Sequence, residues 1–162
     1  GIRNSSGETT KFDDRLCVVY KDDDGWVTRT WTCTTDPGRY WLDNPSNVKG
    51  TAVLVPGQYR NVYKIDKHAG KYDALCQRNG EVKTYRDSNK DDIIDTDVQS
   101  ITEGYYGINI HKAGENSRQV DKWSAGCQVF ANQNDFREFM RLCRMQVSER
   151  GWRTFTYTLI EI

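Results

Sequence analysis

Residues 16–33 read LCVVYKDDDGWVTRTWTC, two runs of β-branched and aromatic side chains flanking the turn-forming Asp22-Asp23-Asp24-Gly25. Such runs bounded by turn residues predict paired strands, here a β-hairpin. Working downstream, residues 51–55 (TAVLV) run into Pro56-Gly57, and residues 62–65, 74–77 and 81–85 continue the series of short strands. Asn79-Gly80 between the last two predicts a tight hairpin. Residues 105–111 (YYGINIH) add one more strand. Upstream, residues 1–10 (GIRNSSGETT) have no periodicity and are expected to form a flexible arm, leaving 11–162 as a single domain.

One helix is expected, starting near Asn132 or Asn134, either of which can cap exposed N–H groups. Phe136, Phe139, Met140, Cys143 and Val147 make one apolar stripe, and Gly151 is placed to end it. Residues 155–159 alternate apolar with polar side chains and predict a closing strand. The expected fold class is therefore mainly β (α+β): one β-rich domain with a main helix late in the chain and a C-terminal strand.

The 162 residues carry 23 basic and 23 acidic side chains, a formal net charge of zero. With a pI near 6.9, this argues against a broad basic footprint for nucleic acid or anionic membrane and leaves room for a local patch alone. Mean hydropathy is −0.81, yet 5 Trp, 9 Tyr and 5 Phe supply large apolar surfaces for a core. No apolar run is long enough for membrane insertion. The chain begins Gly1-Ile2 without Met, the pattern expected of a processed or trimmed chain, whose leader, if there was one, lies outside this sequence.

Five cysteines, Cys17, Cys33, Cys76, Cys127 and Cys143, are an odd number, so at least one thiol stays free. Cys17 and Cys33, on the two arms of the hairpin, either form a cross-strand disulfide or remain thiols. Asp87, Asn89, Asp91 and Asp95 occupy positions 1, 3, 5 and 9 of a calcium loop, but Asp92 and Val98 stand where glycine and a bidentate carboxylate belong. That segment reads as a solvated acidic loop or a weak Ca²⁺ site. No cofactor is expected, since HExxH and CxxC are missing, and the lack of a Gly-x-Ser-x-Gly elbow argues against a serine nucleophile.

A cysteine nucleophile remains. Cys127 sits in Trp123-Ser124-Ala125-Gly126-Cys127-Gln128, where small residues let the backbone turn its N–H groups towards a substrate oxygen. His111 lies upstream as the natural base. No histidine follows Cys127, so the papain-like, NlpC/P60-like and CHAP-like orders, with cysteine first, are disfavoured.

Gly107-Ile108-Asn109-Ile110-His111, a polar loop over 112–123, and Ser124-Ala125-Gly126-Cys127 together resemble the L,D-transpeptidase catalytic domain, the YkuD-like family. The family's motif is a strand-end histidine, a loop, then Ser/Thr-His-Gly-Cys. Ala125 replaces the second histidine and the loop is short, the pattern of a divergent member. The resemblance covers about residues 105–129. It implies Cys127 as nucleophile, His111 as general base, and Ser124 and Gly126 as shapers of the turn and oxyanion pocket. Candidate substrate-binding residues are His68, able to replace the side chain lost at Ala125, Arg86, Asn109 and Trp123.

By that resemblance the chain is expected to be a peptidoglycan-acting cysteine acyltransferase or L,D-carboxypeptidase. Its thiolate would attack the peptide carbonyl before a terminal D-amino acid of a stem peptide, with transfer to an amine or to water. The protein is expected to be extracytoplasmic and a monomer, in a bacterial envelope or a phage-associated setting. Arg86, next to Asp87, reads either as half of a structural salt bridge or as the group that grips a substrate carboxylate. The rival to the enzyme is a non-catalytic envelope or phage-particle domain that binds glycan or peptide through Trp26, Trp31, Trp41 and Tyr40.

Overall fold

The hairpin over 16–33 is the longest antiparallel pair in the computed structural model, which describes residues 1–162. In chain order the elements are β1 (Ile2–Arg3), β2 (Asp14–Asp22), β3 (Gly25–Thr34), α1 (Arg39–Asp43), β4 (Thr51–Leu54), β5 (Gly57–His68) and β6 (Tyr72–Gln77). They continue with β7 (Val82–Asp87), β8 (Thr102–Gly104), β9 (Ile110–Lys112), β10 (Gln128–Phe130), α2 (Gln133–Arg150) and β11 (Phe155–Glu161). The fold is mainly β, one β-rich domain with one main helix and a C-terminal strand.

Eight strands close a barrel in the order β1-β11-β5-β6-β9-β10-β3-β2, while β4, β7 and β8 form a separate three-stranded sheet. Closure removes the exposed edges that an open sheet would leave. Residues 1–10 are not a flexible arm throughout: Ile2 and Arg3 pair with Ile160 and Glu161 of β11, and Arg3 is buried. The Arg3 guanidinium donates to the carbonyls of Leu54 and Thr35, which pins this end of the chain inside the barrel seam.

The helix begins where the sequence places it. The Asn132 side chain accepts from the N–H groups of Asn134 and Asp135, and Gly151 ends the helix in the left-handed conformation at φ 68°. Phe136, Phe139, Met140 and Cys143 are buried, with Phe139 against Phe130 at 5.1 Å and Trp31 at 6.1 Å between ring centroids. These aromatic pairs weld α2 to β3 and β10. No helix is long and apolar enough to cross a membrane.

Two local expectations fail. Asn79-Gly80 does not close a hairpin: β6 pairs with β5 and β9, whereas β7 pairs with β4 and β8. The N–H groups of Arg78 and Asn79 instead donate to Val62 O, folding the turn back on β5. Residues 105–109 are likewise not a strand. The Gln77 side chain takes the ladder's place, its Oε1 accepting from Tyr106 N and Ile108 N at 3.1 Å each and its Nε2 donating to Gly80 O and Gly104 O. A buried amide that satisfies four backbone groups substitutes for strand pairing there.

The cysteines are all free thiols. Cys17 stands across from Thr30 and Cys33 across from Asp14, different rungs of the hairpin, so no cross-strand disulfide joins them. In the 87–95 loop the acidic side chains bond to backbone N–H groups. Asp87 Oδ2 accepts from Asp95 N, Asp91 Oδ1 accepts from Ile93 N, and the carboxylates do not converge on a common point.

Candidate active site

β9 and β10 are parallel, with Gln128 paired to Ile110 and Val129 to His111. A parallel pair needs a crossover connection, supplied here by residues 113–127. Continuing the register one residue back sets Cys127 beside Asn109, two positions before His111, and the Gln128 N–H to Asn109 O hydrogen bond (2.9 Å) confirms that alignment. With strands about 4.8 Å apart and about 3.3 Å of rise per residue, the Cα atoms of Cys127 and His111 lie roughly 8 Å apart, a diagonal that their side chains can span.

The turn before the cysteine is built by Ser124, which is fully buried. Its Oγ donates to Cys127 O at 2.8 Å and accepts from Gly126 N at 3.2 Å. Gly126 has φ 113°, and a Cβ there would stand 2.3 Å from the Ala52 carbonyl oxygen of β4, so only glycine fits. The N–H groups of Ala125 and Cys127 find no acceptor in the protein, leaving two unengaged donors in the cysteine turn.

The thiol donates to Gly107 O at 3.4 Å rather than to His111. Burial pushes the Cys127 pKa up to about 11, against the smaller opposite pull of the Asn109 N–H. His111 moves the other way, to about 3, because it is buried and because a positive charge would face His68. The resting pair is therefore a neutral thiol and a neutral imidazole.

His111 Nδ1 donates to Lys112 O at 2.9 Å, with Tyr72 Oη 3.5 Å from the same nitrogen. That bond fixes the tautomer and leaves Nε2 unprotonated and without a partner, the state a general base requires. His68 stacks on this ring, centroids 4.0 Å apart and planes 20° apart. Asn109 supports the stack. Its Oδ1 accepts from Gln77 N at 2.9 Å, which orients its amide so that Nδ2 donates to His68 Nδ1 at 3.1 Å. Burial, with Arg78 and Lys71 nearby, lowers the His68 pKa as well.

A cavity of 220 Å³ ends on Cys127, walled by Trp41, Ala52, Arg86, Tyr106, Ala125 and others. Larger clefts exist, but the 490 Å³ one runs along Arg3, Asn4 and Asp92, away from both Cys127 and His111. No family model, curated protein or solved structure matches this chain.

Of the residues singled out by sequence, Cys127 and Arg86 line the cavity and Ser124 and Gly126 build the cysteine turn, while His111, His68 and Asn109 form one cluster beside the β9–β10 pair, outside the cavity lining. Both polar ends of Asn109 are engaged inside the protein, so its side chain holds His68 and is not free for substrate. Trp123 is 47% exposed on a 3₁₀ turn and does not line the cavity; Trp41, whose Nε1 donates to Lys122 O, forms that wall. Trp31 is core, its Nε1 donating to Glu138, and offers no binding surface. Sequence reading missed Tyr72 and Tyr106, which no motif marks. Their role follows only from the pairing of His68 with Tyr72 and from the Arg86 guanidinium lying 4.3 Å over the Tyr106 ring.

Proposed function

We propose that the chain is a cysteine acyltransferase of L,D-transpeptidase or L,D-carboxypeptidase type, acting outside the cytoplasm on stem peptides of peptidoglycan. The observation that carries this reading is the parallel β9–β10 register, which brings Cys127 alongside a histidine whose Nε2 is held free. Further support comes from the cavity that ends on the thiol and from the two unengaged N–H groups at Ala125 and Cys127.

In this mechanism the thiol first rotates away from Gly107 O towards His111. Nε2 takes the thiol proton as sulfur attacks the peptide carbonyl carbon, and the oxyanion is met by the Ala125 and Cys127 N–H groups. The C–N bond then breaks, the amine leaves with the proton from His111, and a thioester remains. An amine or water, deprotonated by His111, attacks the thioester and returns the proton to sulfur. Because the resting pair is neutral, proton transfer accompanies attack.

The test is turnover of a tetrapeptide stem followed by mass spectrometry. Wild type is expected to release the terminal residue, Cys127→Ala to release none, and His111→Ala to lose about 10²- to 10⁴-fold. Equal processing by Cys127→Ala and wild type overturns the reading. A non-catalytic peptide-binding role draws on a different observation, the thiol held protonated by burial. Absence of turnover, with stem-peptide binding unchanged in Cys127→Ala, favours that role.

A further inference from the structure

Arg86 stands on β7 opposite Ala52, the residue whose carbonyl abuts Gly126. It lines the same 220 Å³ cavity as Cys127, and no Asp, Glu or Lys shares that lining. The neighbouring carboxylate does not neutralise it: Asp87 is fully buried and accepts from Asp95 N. No ion pair of the protein includes Arg86.

The guanidinium is nevertheless held on three sides. Nε donates to Thr102 Oγ1 at 3.0 Å, one terminal nitrogen donates to Gly50 O at 3.4 Å, and the plane lies over the Tyr106 ring at 4.3 Å. The other terminal nitrogen makes no hydrogen bond within the protein. A half-buried cation, fixed in place, lacking a counter-ion and facing a cavity, is a ready site for an anion, and the fork of a guanidinium suits a carboxylate.

We propose that Arg86 binds the free α-carboxylate of the substrate's C-terminal residue, the residue released when Cys127 attacks. The proposal rests on the acyl-transfer reading of Cys127. At 220 Å³ the cavity is smaller than the roughly 300–1,000 Å³ of ordinary ligand sites, a volume that suits one short residue between thiol and guanidinium. On this proposal the enzyme is exo-acting, because an α-carboxylate held by Arg86 ends the substrate one residue beyond the bond that Cys127 attacks. Sulfur takes the acyl group, the C–N bond breaks, and the amine leaves with the proton from His111 while Arg86 holds its carboxylate.

Two measurements separate this proposal from the reaction it rests on. The first is binding of a D-alanine-terminated tetrapeptide, as free acid and as C-terminal amide, to Cys127→Ala protein, which needs no chemistry. The acid is expected to bind about 10- to 100-fold more tightly. Arg86→Gln in the same background is expected to erase the difference by weakening the acid alone, and Arg86→Lys to restore part of it. Equal affinity for acid and amide with Arg86 intact overturns the proposal. The second is turnover of the two peptides by wild type and Arg86→Gln. A wild type that prefers the acid by KM, with the preference lost in Arg86→Gln, supports the proposal. A wild type that binds the acid selectively but cleaves neither peptide leaves the carboxylate site standing and removes the acyl-transfer reading.

Discussion

His68 and His111 lie face to face, ring centroids 4.0 Å apart, one from the end of β5 and the other from β9. Neither ring can take a proton without placing a charge against its neighbour, so the stack holds the base neutral as well as oriented. In the proposed reaction His68 acts through His111, as a positioning residue. His68→Ala is expected to lower kcat by about 10- to 100-fold with little change in KM. The acid limb of the pH–rate profile should move upward as His111 regains a more ordinary pKa. His68→Phe, which keeps the stacked ring, should recover part of the rate. A profile unchanged in His68→Ala contradicts this role.

Cys127 should behave as an unactivated thiol towards small reagents. With its pKa pushed up to about 11, roughly 1 molecule in 10⁴ is thiolate at pH 7. Alkylation by iodoacetamide, read at Cys127 by peptide mass spectrometry, is expected to be slow at pH 7 and to rise about tenfold per pH unit up to pH 10. Rapid labelling at pH 7 would mean that His111 and Cys127 rest as an ion pair.

Acid stability should depend on His111. Its folded pKa, about 3, lies below the ordinary 6.5. Between those values the unfolded chain binds a proton that the folded protein refuses, so stability falls as pH drops from about 6.5 to about 3. Asp36 acts oppositely. Burial raises its pKa to about 6, so between about pH 6 and 3.8 the folded state gains a proton first and is stabilised. Comparing urea midpoints of wild type and His111→Asn at pH 7 and pH 4 isolates the histidine, and the variant should lose less stability on acidification.

Gly126 and Gly151 both have positive φ but different surroundings. A Cβ at Gly126 meets Ala52 O at 2.3 Å, whereas one at Gly151 meets nothing within 4 Å. Gly151→Ala is expected to cost about 1–2 kcal/mol from backbone strain alone. Gly126→Ala should cost more, about 3 kcal/mol or above, and should abolish turnover because the cysteine turn must shift. Denaturant midpoints and activity of the two variants check the contrast.

Much of this fold is written in short-range signals. The hairpin, α2 with its Asn132 cap and Gly151 stop, and β11 each follow from a period or a capping residue within a few positions. The errors lie where a distant group intervenes. Gln77 satisfies the backbone around Tyr106 and Ile108, so a segment with strand-like composition is irregular, and the Val62 main-chain carbonyl draws the Asn79-Gly80 turn away from hairpin closure. Arg3, buried against Leu54 O and Thr35 O, anchors a segment that looks featureless in sequence. At the site, His111 and Cys127 are marked by their motif. The His68 stack and the unpaired state of Arg86 depend on strands β5 and β7, far along the chain, and leave no periodic trace.

Cys127 belongs to the barrel, while Arg86 belongs to the three-stranded sheet, and the Ala52 carbonyl on that second sheet presses against Gly126. The distance between thiol and guanidinium is thus a dimension of how two sheets dock and not of any one loop. On the proposed reading, the docking of the two sheets sets the length of residue accepted, a ruler that can be recalibrated without touching either reactive group.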